Sequence, residues 1–286
     1  MSGTTQGSGP GQRRARLSDG RPDVTHWYSE PGRRVAGVAT RAGHLVGAQP
    51  ALAIVLLVGV IIAFGASFLV ARVYDAVTED DGIATLDVPF LQDAIALRRP
   101  WLDGLSAGIA YVFGPVGMPC IAVAAILLLA LTRRSWTPLI LIAGAGVGSL
   151  LMTIAGKDII GRHRPPLADA VPPFEYSPSF PSGHSLNATV IAGVVGYLVW
   201  LHRKALVARI ACVVVPVVVA VVVGLSRVLL GAHWFTDVVA AWLLGLGWLA
   251  LVVTAHRLYL TARDRGAPEQ PPPPRSPGSR HGAHTA

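Results

Sequence analysis

Apolar residues in this chain gather into long unbroken runs, without the alternation of a half-buried strand or the single stripe of an amphipathic helix. Five runs are clean: residues 51–73, 107–131, 138–156, 206–225 and 238–255. A sixth, residues 185–201, is shorter and carries Asn187 and Thr189. About 20 apolar residues suffice to take an α-helix across the hydrocarbon core of a bilayer. The valine-dense stretch 213–223 also suits a strand, but a lone strand leaves its backbone unpaired in lipid, so a helix is the reading. The pattern predicts an all-α fold, a bundle of six transmembrane helices filling residues 50–260 as one domain.

The polar stretches between the runs add detail. In residues 74–106, Leu86, Phe90, Leu91, Ala94 and Leu97 recur at roughly helical spacing, which predicts a short helix lying on the outer surface between the first two spans. Gly144, Gly146 and Gly148 in the third run lack the pattern of a phosphate-binding loop and predict close helix packing instead. Residues 1–49 are rich in Gly, Ser, Thr and Arg without apolar periodicity, and residues 261–286 include four consecutive prolines at 271–274. Both are expected to be disordered tails, the second also suiting a polyproline ligand. With no apolar segment near Met1, the first run is expected to serve as an uncleaved anchor.

Composition sharpens this picture. Charged residues make up 14% and hydrophobic ones 52% of the 286, with a mean hydropathy of +0.52, against about 25% charged in soluble domains. The net charge of +8 would suit nucleic acid in a soluble protein, but its placement argues otherwise. With the amino terminus in the cytoplasm, cytoplasmic segments hold 17 Lys and Arg against 5 acidic residues, and external segments 7 against 11. This asymmetry is the positive-inside pattern of a plasma-membrane protein with both termini cytoplasmic; no nucleic-acid partner is expected. Trp101 and Trp234 fall at the outer boundary and Trp136 and Trp200 at the inner one, as an interfacial aromatic belt requires. The two cysteines, Cys120 and Cys212, lie inside apolar runs and suit neither a disulfide nor a zinc site.

Three clusters of chemically capable residues lie at the external ends of spans. They are Lys157 to Arg164-Pro165, Pro181-Ser182-Gly183-His184, and Ser226-Arg227 followed by His233 and Asp237. Lys157 and Arg164, seven apart, share a face if the helix continues that far. With Arg227 they form three cations suited to a phosphoryl group, arginine through paired hydrogen bonds and lysine as a point charge. Ser182 is placed to cap the fourth span, whose first N–H groups attract anions. His233 and Asp237, four apart, fall on one helical face, where the carboxylate fixes the imidazole tautomer and strengthens the other nitrogen as a nucleophile. His163 has no partner or spacing that assigns it a role, and Asp169, Glu175 and Tyr176 read as contacts to a bound headgroup or, preferably, as a solvated loop. The outer carboxylates are scattered, which does not suit a magnesium site, and no cofactor is expected.

These residues resemble the three-part signature of the type 2 phosphatidic acid phosphatase superfamily. Six residues separate Lys157 from Arg164, five separate Arg227 from His233, and three separate His233 from Asp237. The resemblance covers about residues 50–258. It implies a metal-independent enzyme with His233 as nucleophile, Asp237 as its partner and His184 as acid and base. Lys157, Arg164, Arg227, Ser182 and Gly183 hold phosphate in this reading, while Pro165, Pro181 and Ser226 shape the motifs. The implied substrate is a membrane lipid phosphate or diphosphate, such as phosphatidic acid, phosphatidylglycerol phosphate or a polyprenyl diphosphate, met at the extracytoplasmic face. Transfer of the phosphoryl group to an acceptor other than water stays open, as does a lipid transporter that merely binds headgroups. The sequence assigns neither the lipid nor the oligomeric state.

Overall fold

The computed structural model describes residues 82–265; the first apolar run, the amino-terminal tail and most of the carboxy-terminal tail lie outside the described residues. A 3-10 turn at Gly82–Leu86 leads into α1 (Asp87–Leu97) and α2 (Pro100–Val112). Then follow α3 (Gly117–Arg133), α4 (Thr137–Ile160), α5 (Gly183–Trp200), α6 (Leu206–Leu229) and α7 (Phe235–Arg265). Among the described residues there is no strand. Among the described residues, three helices are long and apolar enough to cross a bilayer, namely α4, α6 and residues Phe235–Leu260 of α7, or four if the bent pair α2 and α3 counts as one span. The last helix runs on to Arg265, into the stretch expected to be tail.

The second apolar run does not form one straight helix. It breaks between Val112 and Gly117, and α2 and α3 meet at 57°. Pro115 has no N–H to continue the ladder and its ring crowds the carbonyl four residues back. Phe113 still donates to Ile109, but Gly114 donates weakly to Tyr111 at 3.4 Å, so the Ala110 carbonyl is released from the helix.

The shortest run became the centre of the molecule. Helix α5 packs against α4, α6 and α7 and buries Leu186, Ala188, Val190, Ile191, Val194 and Leu198. Its polar residues explain both its modest hydropathy and its position, since they find partners inside protein rather than in lipid. The Ser149 hydroxyl donates to Asn187 Oδ1 at 2.5 Å, and Thr189 donates to the Ser185 carbonyl. Helix α6 by contrast leaves Val214, Val217, Val218, Val221 and Val222 exposed, a surface suited to lipid contact.

Small residues set the spacing of the bundle. A Cβ on Gly148 would lie 2.1 Å from the Trp248 ring and one on Gly146 3.3 Å from Ile191, whereas Gly144 meets nothing within 4 Å. Two of the three glycines therefore serve the expected packing. The Trp248 indole then reaches the Ala145 carbonyl at 2.9 Å. Helix α1 docks on the end of α6 and the start of α7. Ala94 packs with Val228 and Val238, and Phe90 stacks on Phe235 with ring centres 4.2 Å apart.

Candidate active site

The three sequence clusters meet at one end of the bundle. The first and second are brought together by close packing of α4 on the start of α5. A Cβ on Gly156 would stand 2.5 Å from Pro181, and one on Gly183 3.0 Å from Thr153. The third runs from the end of α6 to the start of α7, and between them the chain turns back at Gly231 with φ +65, a left-handed conformation that glycine adopts without strain. There an added Cβ would meet the Asp169 carbonyl at 2.4 Å.

Four local expectations are corrected. Helix α4 stops at Ile160, because Gly161 adopts φ +61 as a left-handed cap, so Arg164 does not share a helical face with Lys157. The two cations converge on the following loop instead. Lys157 donates to Ser177 Oγ at 3.0 Å and to the Pro178 carbonyl, and Arg164 Nε to the Ser177 carbonyl at 2.7 Å. His233 precedes α7, so it and Asp237 pair across the helix start and not along one helical face. Ser182 stands at the N-cap of α5 without a capping hydrogen bond; its hydroxyl lies 2.9 Å from Ser185 Oγ, and short serines closing on each other leave the cap unmade. Glu175, expected to be solvated, is only 23% exposed and occupies the centre of the site.

Around Glu175 the charges interlock. One carboxylate oxygen lies 2.8 Å from Arg164, the other 2.5 Å from Arg227. His184 Nδ1 stands 3.5 Å and His233 Nε2 3.7 Å from the same carboxylate. Both imidazoles therefore face one small anionic group. Burial alone would push the Glu175 carboxyl up, but the adjacent His233 imidazole and the charges of Arg227 and His184 outweigh this and hold it well below the usual carboxylate range. Arg227 is fully buried, and its Nε and NH1 groups have no hydrogen-bond partner among the described residues. A buried guanidinium with unsatisfied N–H groups is costly unless an anion completes it.

The two histidines are held in opposite senses. His184 Nε2 lies 3.2 Å from the Ala110 carbonyl released at the α2–α3 break. A carbonyl only accepts, so Nε2 carries the hydrogen and Nδ1 faces the anion. His233 turns the other way, with Nδ1 3.5 Å from Asp237 Oδ2 and 3.4 Å from Ser179 Oγ. The Ser179 hydroxyl donates to Asp237 at 2.5 Å, and the Trp234 N–H donates to the same oxygen at 3.0 Å. This leaves His233 Nε2 directed inward, 3.2 Å from Arg164 NH1.

The remaining expected residues stand further back. Ser226 donates to the Val223 carbonyl inside α6, and Pro165 and Pro181 are buried supports. His163 contributes only its carbonyl, which accepts the Trp234 indole N–H at 2.9 Å. Sequence reasoning missed Ser179, Arg162, Thr236 and Asp87. Arg162 and Ser179 lie within or beside motifs already singled out, but nothing in their spacing told which way they face. On the side of the 161–178 loop opens a cavity of about 380 Å³, whose walls include Arg162, Arg164, Glu175, Tyr176 and Ala232. Among the described residues, no three His, Cys, Asp or Glu side chains gather as metal ligands would.

Comparison with known proteins agrees with this arrangement. The PAP2 superfamily profile matches residues 137–259, which hold all three clusters. Phosphatidylglycerophosphatase B of Bacillus subtilis (strain 168) is 32% identical over 180 residues, covering 63% of this chain and 87% of that protein. The crystal structure of a transmembrane PAP2-type phosphatidylglycerolphosphate phosphatase from Bacillus subtilis is 30% identical. It superposes with a TM-score of 0.59 over 65% of this chain and 92% of that one. Shared sequence, shared helical architecture and a histidine pair facing a cationic pocket place the chain in the PAP2 superfamily, as a phosphatase of that type.

Proposed function

We propose that the protein hydrolyses a lipid phosphate or diphosphate at the extracytoplasmic face of a six-span membrane domain, through a phosphohistidine on His233 and without a metal. The observation that carries this reading is the pair of imidazoles facing one carboxylate held by Arg164 and Arg227. A phosphoryl group arriving from lipid takes the place of that carboxylate. Arg164, Arg227 and the N–H groups at the start of α5 then hold its non-bridging oxygens, with Lys157 adding positive potential behind the 177–178 loop.

His233 Nε2 attacks phosphorus, the bond to the lipid oxygen breaks, and protonated His184 gives its Nδ1 proton to that oxygen. His184, now neutral, takes a proton from water, whose oxygen attacks phosphorus and frees His233 and inorganic phosphate. Asp237 stabilises the cationic imidazole between the steps. Preorganised cations and dipoles supply most of the catalysis in phosphoryl transfer. Phosphatidylglycerol phosphate is the first substrate to try, because the Bacillus relatives are named for it; phosphatidic acid and polyprenyl diphosphates follow. Purified protein in detergent is expected to release inorganic phosphate from one of these with EDTA present, and His233→Ala to abolish release. Activity that disappears with EDTA, or that persists in the variant, would contradict the proposal.

A further inference from the structure

We infer that Asp87 and Arg162 form a positioning couple for the nucleophile, reaching His233 through Asp237; the inference rests on the reading of His233 as nucleophile. Arg162 lies two residues before Arg164 but serves the opposite side of His233. Its NH1 donates to Asp237 Oδ1 at 2.6 Å and to Thr236 Oγ1 at 2.7 Å, and its NH2 to Asp87 Oδ2 at 2.5 Å. Asp87 opens α1 and is 3% exposed. Its two oxygens accept the Thr236 N–H at 2.8 Å and the Thr236 hydroxyl at 2.7 Å.

Asp237 is thereby gripped on both oxygens, Oδ1 by Arg162 and Oδ2 by Ser179, the Trp234 N–H and His233. A carboxylate held only on the imidazole side rotates, and its hold on the Nδ1 hydrogen loosens. The guanidinium also draws on the charge of Asp237 and so weakens its pull on the imidazole. Asp87 counters this by sharing the same cation, leaving two carboxylates against one arginine. The planar fork matters here, because it bonds two carboxylates in fixed directions where an ammonium is a point charge. Helix α1, outside the three motifs, thus becomes part of the machinery that orients the nucleophile.

The test uses the full chain purified in detergent, with phosphatidylglycerol phosphate and phosphatidic acid as probes and circular dichroism to confirm folding. Arg162→Ala is expected to lower kcat by about 100-fold and Arg162→Lys or Asp87→Asn by about tenfold, with KM within about threefold of wild type. Combined with Arg162→Ala, Asp87→Asn is expected to add little further loss, because residues acting as one unit are not additive. A merely structural staple would lower the melting temperature and leave the kcat of the folded fraction intact; that result overturns the couple. If Arg162→Ala does not fold, Asp87→Asn decides alone: reduced kcat at unchanged KM supports the couple, and wild-type kcat overturns it. A wild-type chain that releases no phosphate from these two lipids or from a polyprenyl diphosphate removes the hydrolase reading first and the couple with it.

Discussion

At the scale of single residues, the site works by giving every hydrogen on the two histidines a definite place. Ser179 Oγ stands between His233 Nδ1 and Asp237, accepting from one and donating to the other at 3.4 and 2.5 Å. Ser179→Ala removes that link, and a lost hydrogen bond to a charged group typically costs about 1.5–3 kcal/mol. The expected result is a fall in kcat of about 10–100-fold with little change in KM, read from steady-state phosphate release. Glu175 invites a different experiment. As an ionised group at the centre of the cation cluster it competes with any incoming phosphate, so Glu175→Gln is expected to bind inorganic phosphate or vanadate about tenfold more tightly, measured as a lower inhibition constant. Which side chains gather at the site was legible in the sequence: fixed spacing and residue type marked out His184, His233, Asp237, Arg164 and Arg227, and the fold brings them together. Glu175 and Asp87 were not. Asp87 meets partners 75 and 149 residues away and Glu175 meets Arg227 52 residues away, and only the fold shows that a loop carboxylate and a helix start close on the site.

At the scale of elements, the broken second run is the instructive case. Hydropathy alone reads residues 107–131 as one span, because an apolar run does not reveal where a proline interrupts its hydrogen bonds. The break has a local use, since the carbonyl it frees at Ala110 orients His184. A Cβ on Gly114 would lie 2.6 Å from that oxygen and 3.3 Å from His184 Nε2. Gly114→Val is therefore expected to lower kcat by at least about tenfold by displacing His184. Its effect on melting temperature should be smaller than that of a large residue at Gly148, where the Trp248 ring leaves no room. The comparison needs only a melting curve and a rate for each variant. The same residues that make α5 look like a weak span, Asn187 and Thr189, mark it as the central helix. That the remaining described runs are helices was legible because lipid demands continuous apolar length; helix ends were not, since glycine caps such as Gly161 act over a single residue and the last helix runs on to Arg265.

At the scale of the whole molecule, the charge asymmetry and the motif positions make a joint prediction about sidedness. The loop carrying Tyr176, which is 84% exposed, is expected outside the cell and the turn at Ser135 inside. With Cys120 and Cys212 replaced by alanine, Tyr176→Cys should react with a membrane-impermeant thiol reagent in intact cells, and Ser135→Cys only after lysis. The reverse pattern would invert the topology. Beyond sidedness, the central claim is covalent: phosphorus is carried by His233 while His184 faces it across the same pocket. Rapid-quench trapping with a lipid labelled with radioactive phosphorus in its terminal phosphate tests this most directly. The account predicts a protein-bound label that is stable in base and lost in acid, present in the wild-type chain and absent from His233→Ala. No label during active turnover, or equal labelling of the variant, would contradict it.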